Sequence, residues 1–137
     1  MSIYSLFETD IDRESAGFAM TFQDGDVEVT INIARAGGSN KAYAALMQKL
    51  LRPHQLAASS GGVNDDIAEE ILIRVMSETL VTGWSGIYDR DGEELPFSVE
   101  TCKKVLTDLP QLRENIWEEA NRVANFMMGD REESAKN

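Results

Sequence analysis

The stretch Phe18-Ala19-Met20-Thr21-Phe22-Gln23-Asp24-Gly25-Asp26-Val27-Glu28-Val29-Thr30-Ile31-Asn32-Ile33 decides the fold class. Phe18, Met20 and Phe22 alternate with Ala19 and Thr21, and Val27, Val29, Ile31 and Ile33 alternate with Glu28, Thr30 and Asn32. Period-two patterning rich in β-branched residues is what a strand with one buried face requires. Between the two runs, Gln23-Asp24-Gly25-Asp26 supplies turn chemistry, with Gly25 free to take positive φ. The pattern predicts a β-hairpin over about 17–34. Two strands alone are marginally stable. The apolar face must therefore lie on helices or meet a neighbouring subunit.

Working outward, Ala36-Gly37-Gly38 breaks the strand and Ser39 offers an N-cap. Tyr43, Leu46, Met47, Leu50 and Leu51 follow at helical spacing until Pro53, predicting a helix over about 40–52. Ser59-Ser60-Gly61-Gly62 reads as a linker or mobile loop. Asn64 caps the next helix, about 64–82, with Asp65 and Asp66 set against its dipole. Its apolar stripe is Ile67, Ile71, Leu72, Val75, Met76 and Leu80, opposed by Glu69, Glu70, Arg74 and Ser77, and Gly83 is expected to stop it.

Residues 84–97 (WSGIYDRDGEELPF) are too rich in turn formers for a helix and read as an ordered loop with a short hairpin around Asp91-Gly92. Ser98 caps a helix over about 98–109 whose inward set is Val99, Cys102, Val105, Leu106 and Leu109. Pro110 then opens a helix over about 110–128, where a missing N–H costs little. Leu112, Ile116, Trp117, Ala120, Val123, Ala124 and Met127 form its stripe, and Glu118 and Arg122 stand four apart for an ion pair. The expected architecture is α+β, mainly α: an N-terminal hairpin followed by three to four packed helices in a single domain, 1–128, with a flexible tail at 129–137.

Composition bounds the function. The formal net charge is −11, and it is uneven: residues 1–60 hold 7 acids against 5 bases, residues 61–137 hold 17 against 8. Phosphate backbones are attracted by clustered Lys and Arg. Here Lys103-Lys104 and Arg52 stand nearly alone, so direct nucleic-acid binding is not expected. Acidity favours solubility and steering toward basic partners. No apolar run approaches the ~20 residues that span a bilayer. The start, Met1-Ser2-Ile3-Tyr4, lacks the basic-then-apolar layout of a signal peptide, and a cytoplasmic location is the expectation.

Catalytic constellations are thin. Cys102, the single cysteine, falls on an apolar stripe where a thiol packs as a small hydrophobe, and His54, the single histidine, follows a proline at a helix end. Asp89, Asp91 and Glu93 alternate around Gly92 faintly like a calcium loop, but the glycine is misplaced, and Pro96-Phe97 interrupts it. Gly37-Gly38-Ser39-Asn40-Lys41 lacks the upstream spacing of a phosphate-binding loop. No catalytic residue, cofactor or metal ligand is predicted.

One ordered set of short motifs remains. Trp84-Ser85-Gly86-Ile87 precedes an acidic turn from Asp89 to Glu94, then Leu95-Pro96-Phe97-Ser98, Val105-Leu106, Leu109-Pro110, Ile116 and Ala124-Asn125-Phe126. In order and spacing this set resembles the tail assembly chaperones of long-tailed, siphovirus-type bacteriophages, well over the C-terminal half and only generally over the hairpin. Residues that would pin the loop or face a partner are Trp84, Ile87, Pro96, Phe97, Trp117 and Phe126. Pro96 holds the chain extended into Phe97, a hydrophobic staple ahead of the Ser98 cap.

The resemblance implies a non-enzymatic helper in the host cytoplasm, absent from the mature virion. Such proteins coat the tape measure protein, keep it soluble and yield as tail tube protein polymerises. It also implies self-association and a longer form made by ribosomal frameshifting, for which Ala135-Lys136-Asn137 could supply an A-rich slippery codon run. Two other classes compete: a minor structural tail or connector protein, and an acidic DNA-mimic inhibitor motivated by the acidic second half.

Overall fold

The computed structural model describes residues 2–55 and 64–128. The hairpin forms as its alternation requires. β1 (Phe18–Asp24) and β2 (Val27–Ile33) pair antiparallel from Phe18↔Ile33 to Asp24↔Val27, leaving a two-residue turn in which Gly25 has φ +62°. A third strand, β3 (Val81–Ser85), extends the sheet in the order β1-β2-β3, pairing Ile31 with Trp84 and Ile33 with Val81 across an irregularity at Asn32/Ile33. The hairpin is thus the larger part of a three-stranded antiparallel sheet. Two expectations change: the helix foreseen to 82 gives way to strand at Val81, and the loop foreseen from 84 begins within that strand.

The sheet is two-faced. Ala19, Thr21, Gln23 and Glu28 are exposed, whereas Ile31 and Ile33 are fully buried and Phe18, Met20, Phe22 and Val29 pack against the core. That core joins Ile31, Ile33 and Val81 to Ile73, Met76, Leu80, Cys102, Leu106, Ile116 and Ala120 from the helices. The hairpin's apolar face is satisfied within the chain.

Helix α3 (Lys41–Leu51) runs on into a 3-10 turn at Arg52–His54. Ser39, expected as its cap, instead donates its hydroxyl to the Ile11 carbonyl (3.0 Å). Asn40 holds the cap position, but its side-chain amide is spent elsewhere, donating to the carbonyls of Arg35 (2.9 Å) and Thr79 (3.0 Å). The linker read at Ser59–Gly62 lies outside the described residues, as does the tail at 129–137.

Helix α4 (Asp65–Val75) is capped by Asn64, whose side chain accepts from the Asp66 N–H (2.8 Å). It continues as a π-helical turn, Met76–Leu80. Ser77, expected on the outer face, is buried within this turn, and Ile73, in the regular helix before it, joins the core alongside the expected Ile71, Val75, Met76 and Leu80. Helix α5 (Val99–Asp108) starts on a capping box in which Ser98 and Thr101 each accept the other's backbone N–H.

Helix α6 (Pro110–Asn121) stops well short of 128. Arg122 turns extended and a 3-10 segment, Val123–Phe126, follows. Asn125 fixes the break by donating its amide to the Glu119 carbonyl (2.9 Å) and carboxylate (2.8 Å). The break carries Phe126 into full burial, edge-on to Phe18 with ring centroids 5.5 Å apart. Outside the helix, Arg122 pairs with Glu119 (3.4 Å) in place of the expected Glu118.

Two short helices precede the sheet, unforeseen from sequence: α1 (Ile3–Phe7) and α2 (Ile11–Ala16). Asp10 caps α2 by accepting from the Arg13 N–H (3.2 Å). No helix among the described residues is long and apolar enough to cross a membrane.

Candidate functional site

The segment from Trp84 to Ser98 is built as a rigid wall. Trp84 lies in β3 opposite Ile31, and its indole N–H donates to the Leu95 carbonyl (2.8 Å), tying the two ends of the loop together. Its ring meets Phe97 edge-on at 5.2 Å. Gly86, at φ +77°, lies so close to β2 that an added Cβ would stand 2.2 Å from the Glu28 carbonyl oxygen. Beyond it a small hairpin closes around Asp91-Gly92 as expected: Leu95 N–H donates to Ile87 (2.8 Å), Asp89 N–H donates to Glu93 (2.8 Å), and Tyr88 bridges Glu94. The Asp89 carboxylate accepts from the N–H groups of Asp91 and Glu93, both at 2.9 Å. The Pro96 carbonyl accepts from the Thr101 hydroxyl (3.0 Å), fastening the loop to α5.

Between this wall, the sheet and the α5–α6 corner lies an apolar hollow of about 270 Å³. Phe22, Val29 and Ile31 contribute from the sheet, Ile87 and Tyr88 from the loop, and Val105, Leu109 and Leu112 from the helices; Asp24 and Asp89 also line it. A second hollow of about 170 Å³ shares Tyr88, Asp89, Val105 and Leu109 and extends toward Arg90, Lys104 and Asp108. Together they form a groove with Tyr88 and Leu109, about half exposed at 49% and 47%, common to both parts. Larger hollows of about 420 Å³ flank α4: one is lined mainly by ionisable side chains such as Asp66, Glu69, Glu70, Arg74 and Lys103, and the other mixes Leu50, Pro53, Ile67 and Ile71 with Lys49, His54, Glu70 and Arg74. Arg74 there is paired with Glu78 (2.7 Å). An apolar floor on a hydrogen-bonded frame is the better binding surface.

Residues 38–137 match the model of the YdaY prophage protein family. The chain belongs to that family. It is a phage-derived protein. No curated protein and no solved structure matches the chain. The YdaY match takes in β3, the 84–97 loop and the α5–α6 corner, while β1 and β2, which supply Phe22, Val29 and Ile31 to the groove, precede it.

Within this YdaY-family fold the residues singled out from sequence separate into three places. Trp84, Pro96 and Phe97 frame the loop, and Ile87 lines the groove beside them. Trp117 lies on α6, half-buried against Tyr43 at 6.4 Å. Phe126 has no exposed surface and belongs to the core against Phe18. Sequence reasoning missed Tyr88 and Phe22 as groove residues and assigned Leu109 and Val99 inward, whereas both are exposed. The Leu109-Pro110 junction was the available signal: a leucine at a helix–helix corner sits where the inward face ends.

Cys102 is fully buried, and burial pushes its thiol up to about 11, with the Ser77 hydroxyl acting weakly the other way. At neutral pH such a thiol is protonated and a poor nucleophile. The hollow beside His54 is lined by Lys49, Leu50, Pro53, Ile67, Glu70, Ile71 and Arg74, without Cys102. Among the described residues, no three His, Cys, Asp or Glu side chains converge as a metal site.

Proposed function

We propose that the chain is a non-catalytic tail assembly chaperone that binds the tape measure protein during tail morphogenesis and keeps it soluble. Membership of a prophage family supports the setting. The ordered motifs from Trp84 to Phe126 support the class of protein. The observation that carries the reading is the apolar groove with Tyr88 and Leu109 at its mouth, held by the Trp84–Leu95 and Pro96–Thr101 hydrogen bonds. Such a groove accepts apolar side chains presented at helical spacing by a long client. Several copies along one client would add through effective concentration, while each contact remains weak enough for tail tube protein to displace.

This reading places the protein in the host cytoplasm and outside the finished virion. Self-association and a longer frameshifted form belong to the same proposal. Co-expression with the tape measure protein of the same prophage is the test. Co-purification and a gain in client solubility are expected; neither appearing would overturn the reading. Recovery of the polypeptide from purified mature particles would instead favour a connector or minor tail protein.

A further inference from the structure

Among the described residues, the most exposed large apolar side chains cluster near the N-terminal end of the sequence. Within residues 3–11, Ile3 is 61% exposed, Tyr4 73%, Leu6 58%, Phe7 70% and Ile11 66%, and α1 buries no residue at all. A five-residue helix has no stability of its own. Contiguous exposed apolar surface of this kind marks a site of association.

The segment is nonetheless fixed to the body. Asp10 N–H donates to the Phe126 carbonyl (2.7 Å), Met128 N–H donates to the Glu8 carbonyl (3.1 Å), and Thr9 bridges Met127. Ser39 holds the Ile11 carbonyl, and Glu14 in α2 is buried against Arg35. Met128, 45% exposed and bonded to Glu8, continues the apolar surface.

Charge selects the occupant. Glu8 and Asp12 are exposed among these apolar residues, and the whole chain carries −11. A second copy would bring like charges together on the same patch. We infer that Ile3–Ile11 is a docking segment for an amphipathic helix of another protein, one whose apolar stripe is flanked by Lys or Arg. The apolar stripe covers Tyr4, Leu6 and Phe7 while the basic flanks meet Glu8 and Asp12. This surface is separate from the groove, and its assignment holds whether or not the client is the tape measure protein.

The experiment uses the full chain and two designed peptides, one of leucine and lysine and one of leucine and glutamate, each at helical spacing. Titration calorimetry should show binding of the leucine–lysine peptide only. The double variant L6S/F7S, altered at exposed positions and checked for unchanged thermal unfolding, should weaken that binding by at least about tenfold. The E8Q/D12N variant should weaken it less and flatten its salt dependence. Equal binding by L6S/F7S, equal binding of the leucine–glutamate peptide, or no binding by the wild-type chain would each overturn the proposal. So would a wild-type dimer in light scattering that L6S/F7S dissociates, because a second copy would then be the occupant. Failure of the tape measure protein to co-purify bears only on the chaperone reading.

Discussion

Glu14 and Arg35 are joined twice: the Glu14 carboxylate accepts from the Arg35 guanidinium, and the Glu14 carbonyl accepts from the Arg35 backbone N–H (2.8 Å). The pair clamps the N-terminal helices to the chain leaving β2. Burial alone raises the Glu14 pKa, but hydrogen bonds from Arg35, Thr9 and Ser39 and the guanidinium charge outweigh it and hold the carboxyl below its ordinary value of 4.5.

A carboxylate with a depressed folded-state pKa contributes stability that is present above its unfolded value and lost as pH falls through the folded one. Acid unfolding should therefore steepen below about pH 4.5. In Glu14→Gln this part of the pH dependence should disappear, with about 1–3 kcal/mol lost at neutral pH. Urea midpoints measured between neutral and acid pH check it. A variant whose acid sensitivity matches the wild type would show that Glu14 is not the titrating group.

Gly86→Ala should destabilise by more than about 2 kcal/mol, because positive φ and a collision with the β2 backbone act together. Gly25→Ala, at φ +62° with no atom within 4 Å, should cost only about 1 kcal/mol. Chemical denaturation of both variants separates steric contact from backbone preference.

Trp84→Phe keeps a ring against Phe97 but removes the bond to Leu95, and should cost about 1 kcal/mol. Trp84→Ala removes both and should cost about 3 kcal/mol or more. Faster amide exchange at Leu95 and Asp89 in Trp84→Phe would show that the indole, rather than the small hairpin alone, holds the loop.

Tyr88→Ser combined with Leu109→Ser should leave thermal stability within about 1 kcal/mol, since both side chains are about half exposed. The same change should abolish co-purification with the tape measure protein. Undiminished co-purification would remove the groove as the client surface.

The Cys102 thiol should resist alkylation in the native protein and react only on unfolding, since it is buried and its pKa is raised to about 11. An acid whose folded pKa is raised above its unfolded value of 9.0 weakens the fold between those two values, so stability should fall as pH rises from about 9 to 11. Tyr43, raised by burial from 10.0, acts in the same direction. Thiol-reagent kinetics and alkaline urea melts check the two statements.

Local pattern determined much of this protein. The Phe18–Ile33 alternation with Gly25 at its turn, the Asn64 and Ser98 caps and Pro110 each act through neighbours a few residues away, and the hairpin and the three helix starts formed as read, while two of the helix ends did not. The turn around Asp91-Gly92 and the enclosure of Cys102 were legible for the same reason. What the tertiary structure decided rests on partners distant in sequence. Val81–Ser85 becomes a strand because β2 offers an open edge some fifty residues earlier. Phe126 is buried because Phe18 and the N-terminal chain wait for it. Leu109, Tyr88 and Phe7 are exposed because packing reaches none of their outer faces. Periodicity says which side chains could be buried together; only the assembled chain decides which apolar groups are left over, and those are the surfaces on which the proposed function depends.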